Sequence, residues 1–200
     1  AHDVGGPVDV VIHDGTPGDD SNAGHFSYDP SAAITGVSPA SGPQGGGNSV
    51  TITGNCFTGA TAVQFGAQTV ILPTANASDT SITVTAPAGA SAGPVDVTVI
   101  GAPACGNAKL PNGYGYVVAP VIALAPAQGP VSVDTEVVIS GTGLAGASEV
   151  DLDGASVPFA VNGDGSLTIT APSGHAVGPA NVTVASPGGT SNAAVFDYVT

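Results

Sequence analysis

The sequence predicts an all-β protein, and three observations support that fold class. Strong helix formers are scarce, since the 200 residues include no Met and only 8% Asp, Glu, Lys and Arg together. The 30 Gly and 17 Pro fall between short runs of Val, Ile and Thr, as turn residues do between strands. Within those runs polar and apolar residues alternate, as at residues 49–53, 82–85 and 95–99, which is the pattern of a half-buried strand.

An internal repeat with a period of 87 residues organises the chain. Residues 38–43 (SPASGP) return as 125–130 (APAQGP), and residues 93–99 (GPVDVTV) are preceded at the same distance by residues 6–12 (GPVDVVI). Such self-similarity at a fixed period indicates repeated structural units. We therefore predict three segments. They are the C-terminal strands of an incomplete repeat at residues 1–30, repeat 1 at residues 33–118 and repeat 2 at residues 119–200.

Each full repeat is predicted to form about seven short strands, a number typical of an immunoglobulin-like β-sandwich. In repeat 1 they lie near residues 34–38, 48–54, 61–66, 68–72, 81–85, 94–100 and 113–118. The clearest strands of repeat 2 lie at residues 136–140, 149–152, 167–170, 181–185 and 194–199. Phe57 and Leu144 follow the second strand of each repeat, so we expect these side chains to plug one end of the core.

Several motifs resemble the IPT/TIG domain family. The resemblance is carried by residues 34–46 (ITGVSPASGPQGG), 50–57 (VTITGNCF), 63–66 (VQFG) and 87–97 (PAGASAGPVDV). Repeat 2 departs from the pattern, since residues 131–134 (VSVD) replace the paired glycines and residues 150–154 (VDLDG) replace the VQFG segment. The resemblance implies tandem immunoglobulin-like sandwiches. It leaves function open, because the family occurs in transcription factors, surface receptors, adhesins and carbohydrate enzymes.

The two cysteines both lie in repeat 1. Cys56 follows the second strand and Cys105 lies between the sixth and seventh, and in a sandwich of this topology the two loops emerge at the same end. We therefore predict a Cys56–Cys105 disulfide, which requires Cα atoms within about 7 Å. The alternative is two free thiols. A disulfide indicates an oxidising compartment, so the predicted location is extracellular or at the cell surface.

The charge balance argues against several classes of partner. One Lys and no Arg stand against fifteen acidic residues, which gives a formal net charge of −14. A chain with one cation cannot neutralise several phosphates, so nucleic acid and anionic membrane surfaces are disfavoured as partners. No apolar stretch reaches the roughly 18–20 residues of a membrane-spanning helix, and no membrane insertion is predicted for this segment. Because residue 1 is Ala and no signal peptide precedes it, we expect a processed chain or part of a longer one.

Two acidic loops are candidates for calcium, a cation that takes about six to eight oxygen ligands. Their acidic residues are Asp14, Asp19 and Asp20 in the first loop and Asp151, Asp153 and Asp164 in the second. Neither loop has the ligand spacing of an EF-hand. The alternative is a pair of solvated turns, where Asp and Asn are common because they tolerate unusual backbone conformations. No other metal or cofactor is predicted.

Catalytic residues in a recognisable arrangement are missing from the sequence. The pair His13-Asp14 would suit a general base, but surface loops also commonly hold such histidines. No Ser lies in a Gly-x-Ser-x-Gly setting, and a disulfide would remove both cysteines from nucleophilic chemistry. We therefore predict that the protein is not an enzyme.

Residues 1–30 supply only the last two strands of a repeat, and a lone hairpin is marginally stable in water. Its apolar residues are candidates for contacts between subunits: Val8, Val10, Ile12, Phe26 and Tyr28. Either the missing strands lie upstream in a longer repeat chain, or the hairpin docks on another subunit by strand donation. A head-to-tail contact of the second kind does not close, so it would build a polymer.

The sequence therefore predicts an extracellular structural module of a surface filament, fibre or adhesin stalk. The alternative is a ligand- or carbohydrate-binding accessory module, whose glycan or protein ligand the residues do not identify. Sugar binding by ring stacking would need exposed aromatic side chains, and Tyr114 is the aromatic residue that we expect to be exposed. Asn76 and Asn181 begin sequons, which matter only in a host that glycosylates them.

Overall fold

The computed structural model describes residues 31–73, 78–102 and 105–200, together with the backbone of residues 7–10 and 24–27. Within these residues the chain forms strands and no helix. The strands of each repeat form two sheets that enclose a hydrophobic core. This architecture confirms the predicted all-β class.

Repeat 1 is built from strands β3 to β10, and a hairpin of β1 and β2 precedes it. The strands are β1 (Pro7–Val10), β2 (Gly24–Ser27), β3 (Ala33–Ser38), β4 (Ser41–Pro43), β5 (Ser49–Asn55), β6 (Ala62–Phe65), β7 (Gln68–Ile71), β8 (Ser81–Thr85), β9 (Gly93–Ala102) and β10 (Gly106–Val117). One sheet has the order β3-β5-β8, and the other has the order β4-β10-β9-β6-β7. Within repeat 1 the short strand β4 pairs in parallel with β10, and the other pairs are antiparallel.

Repeat 2 has the same plan with more short strands. They are β11 (Val121–Ala125), β12 (Gln128–Pro130), β13 (Thr135–Thr142), β14 (Glu149–Leu152), β15 (Ala155–Val157), β16 (Phe159–Val161), β17 (Leu167–Ala171), β18 (Gly178–Ser186), β19 (Gly189–Thr190) and β20 (Ala194–Val199). One sheet has the order β11-β13-β17-β16. The other has the order β12-β20-β18-β14-β15, and β19 also pairs with β18.

Each core is assembled from alternate residues of its strands. In β5, for example, Val50 and Ile52 are fully buried between more exposed polar neighbours. Full burial of one such side chain contributes about 1.5–3 kcal/mol, so the summed core is the main source of stability. Phe57 is fully buried in the core of repeat 1 and Leu144 is buried in that of repeat 2, so both side chains enter the core as expected.

Two features of the strands differ from the prediction. The segments 41–43 and 128–130, for which no strand was predicted, form β4 and β12 because the last strand of each repeat lies alongside them. Strand β10 begins at Gly106 rather than near residue 113. Its apparent turn is a bulge between Leu110 and Tyr114, where the backbone N–H of Asn112 donates to Asp96 Oδ1 at 2.9 Å.

The backbone of the N-terminal hairpin has the pairing of the last two strands of a full repeat. Pro7 lies opposite Ser27, and Val8 lies opposite Phe26. In repeat 2 the matching strands β18 and β20 place Pro179 opposite Asp197 and Ala180 opposite Phe196. The hairpin therefore has the register expected for the end of a repeat.

Candidate interaction surfaces

The disulfide predicted from the sequence is present between Cys56 and Cys105, whose Cα atoms lie 6.2 Å apart. Cys105 lies in the turn between β9 and β10, and its carbonyl accepts a hydrogen bond from the Ala32 backbone N–H at 3.1 Å. Asn55 Nδ2 in turn donates to the Ser31 carbonyl at 3.2 Å. These contacts hold the first residues of repeat 1 against the end of β5 and against the loop that connects β9 and β10.

The second acidic loop does not gather its carboxylates around a common point. Asp151 accepts a hydrogen bond from the Gly154 backbone N–H, and Asp164 accepts from the hydroxyl and the backbone N–H of Ser166. The Ser166 hydroxyl bond and then the backbone bond lower the pKa of Asp164. Asp153 lies 3.7 Å from His175 Nε2. Where side chains are described, no three His, Cys, Asp or Glu residues form a group that could hold a metal ion.

The remaining acidic and histidine candidates near the N-terminus cannot be placed. Asp14, Asp19, Asp20 and His13 lie outside the described residues, as does the sequon residue Asn76. Asn181 is exposed on β18.

Tyr114 is fully buried, so the prediction that it is exposed was wrong. Its ring makes edge-to-face contacts with Phe65 and Tyr116, at centroid distances of 5.2 and 5.1 Å. Its hydroxyl donates to Asn48 Oδ1 at 2.9 Å, and burial raises the pKa of the Tyr114 phenol while that bond opposes the rise. The bulge before Tyr114 turns the side chain inward. The carbohydrate-binding alternative depended on an exposed ring at Tyr114, so the burial of this residue removes that support.

A hollow between the two repeats offers little chemistry for a ligand. Its volume is about 410 Å³, and its walls include Pro43 and Asn48 from repeat 1 and Gly146 and Pro187 from repeat 2. No charged side chain and no aromatic ring lines it. Such a surface suits contact between neighbouring repeats better than recognition of a small molecule.

Strand β8 of repeat 1 and strand β17 of repeat 2 hold matching places in their sheets. Strand β17 of repeat 2 pairs with β13 on one side and with β16 on the other. The matching strand β8 of repeat 1 pairs with β5, and no other described strand adjoins it. At the start of β8, the Ser81 backbone N–H donates to the Ser78 hydroxyl at 3.0 Å, and the Ser78 backbone N–H donates to the Ser81 carbonyl at 3.0 Å.

A groove runs between β8 and β7, and we call it the edge groove. Its volume is about 270 Å³. It is lined by Ser49, Val70, Ile71, Leu72, Pro73, Thr83, Val84 and Thr85. No charged residue contributes to it, and Ile71 has 74% of its surface exposed. The edge groove is an uncharged, partly apolar surface beside β8.

The predicted subunit-contact residues fall on the N-terminal hairpin and just beyond it. Its register sets Val8 opposite Phe26 and Val10 opposite Gly24, so these positions share one face. Asp9 lies opposite His25 and belongs to the other face. Ile12 and Tyr28 lie outside the described residues. The two-stranded sheet of β1 and β2 is joined to no other described strand.

Comparison with known families identifies both repeats. A family model described as the IPT/TIG domain matches residues 32–116 and 121–198. The two matches contain every segment whose motifs carried the resemblance, which is thereby confirmed. None of the curated proteins matches this sequence.

Solved structures show the same fold. Two structures of the Plexin A4 full extracellular region match 94% of this chain at 24% identity, with TM-scores of 0.52 and 0.53. This chain spans only 20% and 18% of those plexin chains, and the likeness shows the immunoglobulin-like fold alone. The Escherichia coli adhesin FdeC matches 98% of this chain and 74% of its own at 17% identity. Its TM-score of 0.43 is too low to indicate a shared function. The described part of the chain contains no helix that is long and apolar enough to cross a membrane.

Proposed function

We propose that this chain, which belongs to the IPT/TIG domain family, is a non-enzymatic structural module of an extracellular filament, fibre or adhesin stalk. The observation that carries the proposal is the hairpin of β1 and β2, which has the register of a repeat's last two strands and precedes two full repeats. An array of such units extends by adding repeats at its ends, which is the geometry of a stalk or fibre.

Composition and covalent chemistry support an extracellular location. The Cys56–Cys105 disulfide is of a kind that persists in oxidising environments such as the cell exterior. The single cation, Lys109, is paired with Asp96 at 2.7 Å, which leaves the acidic residues to dominate the surface. A strongly negative chain remains soluble and does not bind polyanions, which suits a surface-exposed polymer.

The hairpin supports assembly in one of two ways. It completes a repeat whose front strands come earlier in a longer chain, or it docks on another copy and joins subunits head to tail. In the second case the contact is heterologous, so each copy uses a different surface from the one it offers to the next, and an open filament results.

Light scattering coupled to size exclusion, with negative-stain microscopy of the same fractions, tests this role. The wild-type chain of 18.9 kDa is compared with a variant that lacks residues 1–30. Ordered polymers that disappear with the hairpin would support a filament subunit. A clean monomer would instead assign the hairpin to a longer stalk.

A matched pair of variants separates a specific contact from a general loss of stability. Val8→Glu with Phe26→Glu places two charges on the apolar face, whereas His25→Glu with Ser27→Glu places two charges on the opposite face. We expect the first variant to abolish polymers and the second to retain them. Polymers that survive both substitutions would contradict assembly through the hairpin.

A further inference from the structure

We propose that Asn112 is a site of covalent modification by deamidation, in which its side-chain amide is lost and the chain becomes linked in part through isoaspartate. Asn is among the residues that are chemically labile in proteins. The residue after it is Gly113, and the sequence has one other Asn-Gly step, Asn162-Gly163. The structure holds the two steps differently, so one chain supplies both the candidate site and its control. This inference is independent of the proposed function.

The reaction needs only two adjacent residues and water. The Gly113 backbone nitrogen, once it has lost its proton to the solvent, attacks Cγ of Asn112. The new N–C bond closes a five-membered succinimide ring, and the Cγ–Nδ2 bond breaks so that ammonia leaves with a proton taken from water. Water then opens the ring, at the main-chain carbonyl to give isoaspartate or at the side-chain carbonyl to give aspartate. Glycine favours ring closure because it has no Cβ and its backbone turns freely.

The bulge in β10 leaves Asn112 exposed and its side-chain amide unrestrained. Residues 111–113 fall where the register between β10 and β9 shifts, so none of them is paired with a residue of β9. The Asn112 backbone N–H donates to Asp96 Oδ1 at 2.9 Å, which holds the main chain in place. Among the described residues, the amide of the exposed Asn112 side chain has no hydrogen-bond partner. It can therefore turn toward the nitrogen of Gly113.

The amide of Asn162 is held on both sides. Its Nδ2 donates to Ser166 Oγ at 2.8 Å and to Thr168 Oγ1 at 2.9 Å. Its Oδ1 accepts from the Thr168 hydroxyl at 3.2 Å, and the residue is half-buried. Attack by the Gly163 nitrogen requires this amide to turn away from Ser166 and Thr168, so hydrogen bonds must break before the ring can close. The same dipeptide is therefore protected in repeat 2 and accessible in repeat 1.

The product changes the surroundings of the only Lys or Arg in the chain. Lys109 Nζ lies 2.7 Å from Asp96 Oδ2, and Asp96 Oδ1 receives the backbone N–H of residue 112. Deamidation places a second carboxylate near Asp96. Isoaspartate also lengthens the main chain by one methylene within the bulge that directs Tyr114 into the core. We therefore expect the modified chain to have a less stable repeat 1.

Incubation of the full folded chain at mildly alkaline pH, followed by pepsin digestion in acid and peptide mass spectrometry, tests the site. The amide-to-acid mass increase should accumulate at least about tenfold faster at Asn112 than at Asn162, because only the second amide must first break hydrogen bonds. Both aspartate and isoaspartate should form, and the rate should rise with pH because the attacking nitrogen must lose its proton. In concentrated urea both steps are released from the fold, so their rates should converge.

The variant Thr168→Val supplies the converse test. It keeps the shape of the side chain and removes the hydroxyl that contacts both ends of the Asn162 amide, so modification at Asn162 should accelerate while that at Asn112 stays unchanged. The proposal is overturned if Asn112 stays intact in the folded chain, if both sites react equally fast there, or if aspartate is the sole product. Anion exchange separates the modified chains by their added charge, and an unchanged urea midpoint for them would refute the effect on repeat 1.

Discussion

Repeat 1 and repeat 2 fill the same core position with different side chains. In repeat 1, Tyr114 lies in the last strand and its hydroxyl donates to Asn48. In repeat 2 the matching positions are Phe196, which is fully buried, and Thr135 on β13 in the opposite sheet. Both repeats thus place a buried aromatic ring at this position, whereas the hydrogen bond from the ring hydroxyl to an amide belongs to repeat 1 alone.

The two repeats also secure the loop before their last strand by different means. In repeat 1 the disulfide joins Cys105 to Cys56. In repeat 2 the Asn192 side chain accepts a hydrogen bond from the Ile122 backbone N–H at 2.8 Å and donates to its carbonyl at 3.2 Å. The disulfide and the Asn192 hydrogen bonds both hold the loop before the last strand in place. Their contributions to stability can therefore be compared within one molecule.

Removal of the disulfide should produce the largest difference between the repeats. Cys56→Ala with Cys105→Ala releases a loop whose ends are 49 residues apart, and we expect repeat 1 to lose about 4 kcal/mol of stability. Hydrogen exchange resolved by peptide mass spectrometry on the full chain measures each repeat separately. Equal losses of protection in both repeats would show that they unfold as one unit.

The paired glycines Gly89 and Gly174 should respond differently to substitution. A Cβ at Gly89 would meet ring atoms of the buried Tyr116 at 2.6 Å, so we expect Gly89→Ala to cost about 1–3 kcal/mol through overpacking. Gly174 has φ +84° and open space around it, so Gly174→Ala costs about 1 kcal/mol of backbone strain.

Chemical denaturation of the full-length variants checks both values. Gly174→Asn is the control, since Asn tolerates a positive φ better than Ala does. If Asn destabilised repeat 2 more than Ala, strain would not be the cause.

The Tyr114–Asn48 pair offers a smaller test. Tyr114→Phe alone leaves Asn48 Oδ1 without its donor, and Asn48 Nδ2 is already buried without a partner, so we expect a loss of about 1–2 kcal/mol. Tyr114→Phe with Asn48→Thr reproduces the Phe and Thr that repeat 2 has at these positions and should recover most of that loss of stability. A double-mutant cycle in urea gives the coupling, and strictly additive effects would exclude an interaction between the two residues.

Alkaline pH should weaken repeat 1 more steeply than repeat 2. Burial raises the pKa of Tyr114 and Tyr116 in repeat 1 and that of Tyr198 in repeat 2. Above the unfolded-state tyrosine pKa of about 10, the folded state retains protons that the unfolded state releases, so stability falls as pH rises. The free energy of unfolding, measured from pH 8 to 11, should decline less steeply in the Tyr114→Phe, Asn48→Thr variant. An unchanged slope would rule out Tyr114 as a contributor.

Much of the fold was predictable because local patterns repeat along the chain. The alternation of polar and apolar residues predicted the bounds of β5, β8 and β14 to within a residue or two. The positions of the two cysteines in loops at the same end of the sandwich predicted their disulfide. The short strands β4 and β12 were missed because their only partner is the distant last strand. Tyr114 was misplaced because Pro111, Asn112 and Gly113 have the composition of a turn, while the structure uses them as a bulge that continues the strand.

The sequence by itself determined the all-β class, the repeat and its family, since each depends on alternation and motifs that short segments carry. The apolar hairpin residues were also visible as a pattern without a complete repeat around them. Only the tertiary structure decided that residues 41–43 and 128–130 form strands β4 and β12, each paired with the last strand of its repeat. The physical reason is that these pairs join residues far apart in the chain, and the residues of a strand do not record which strand lies beside it.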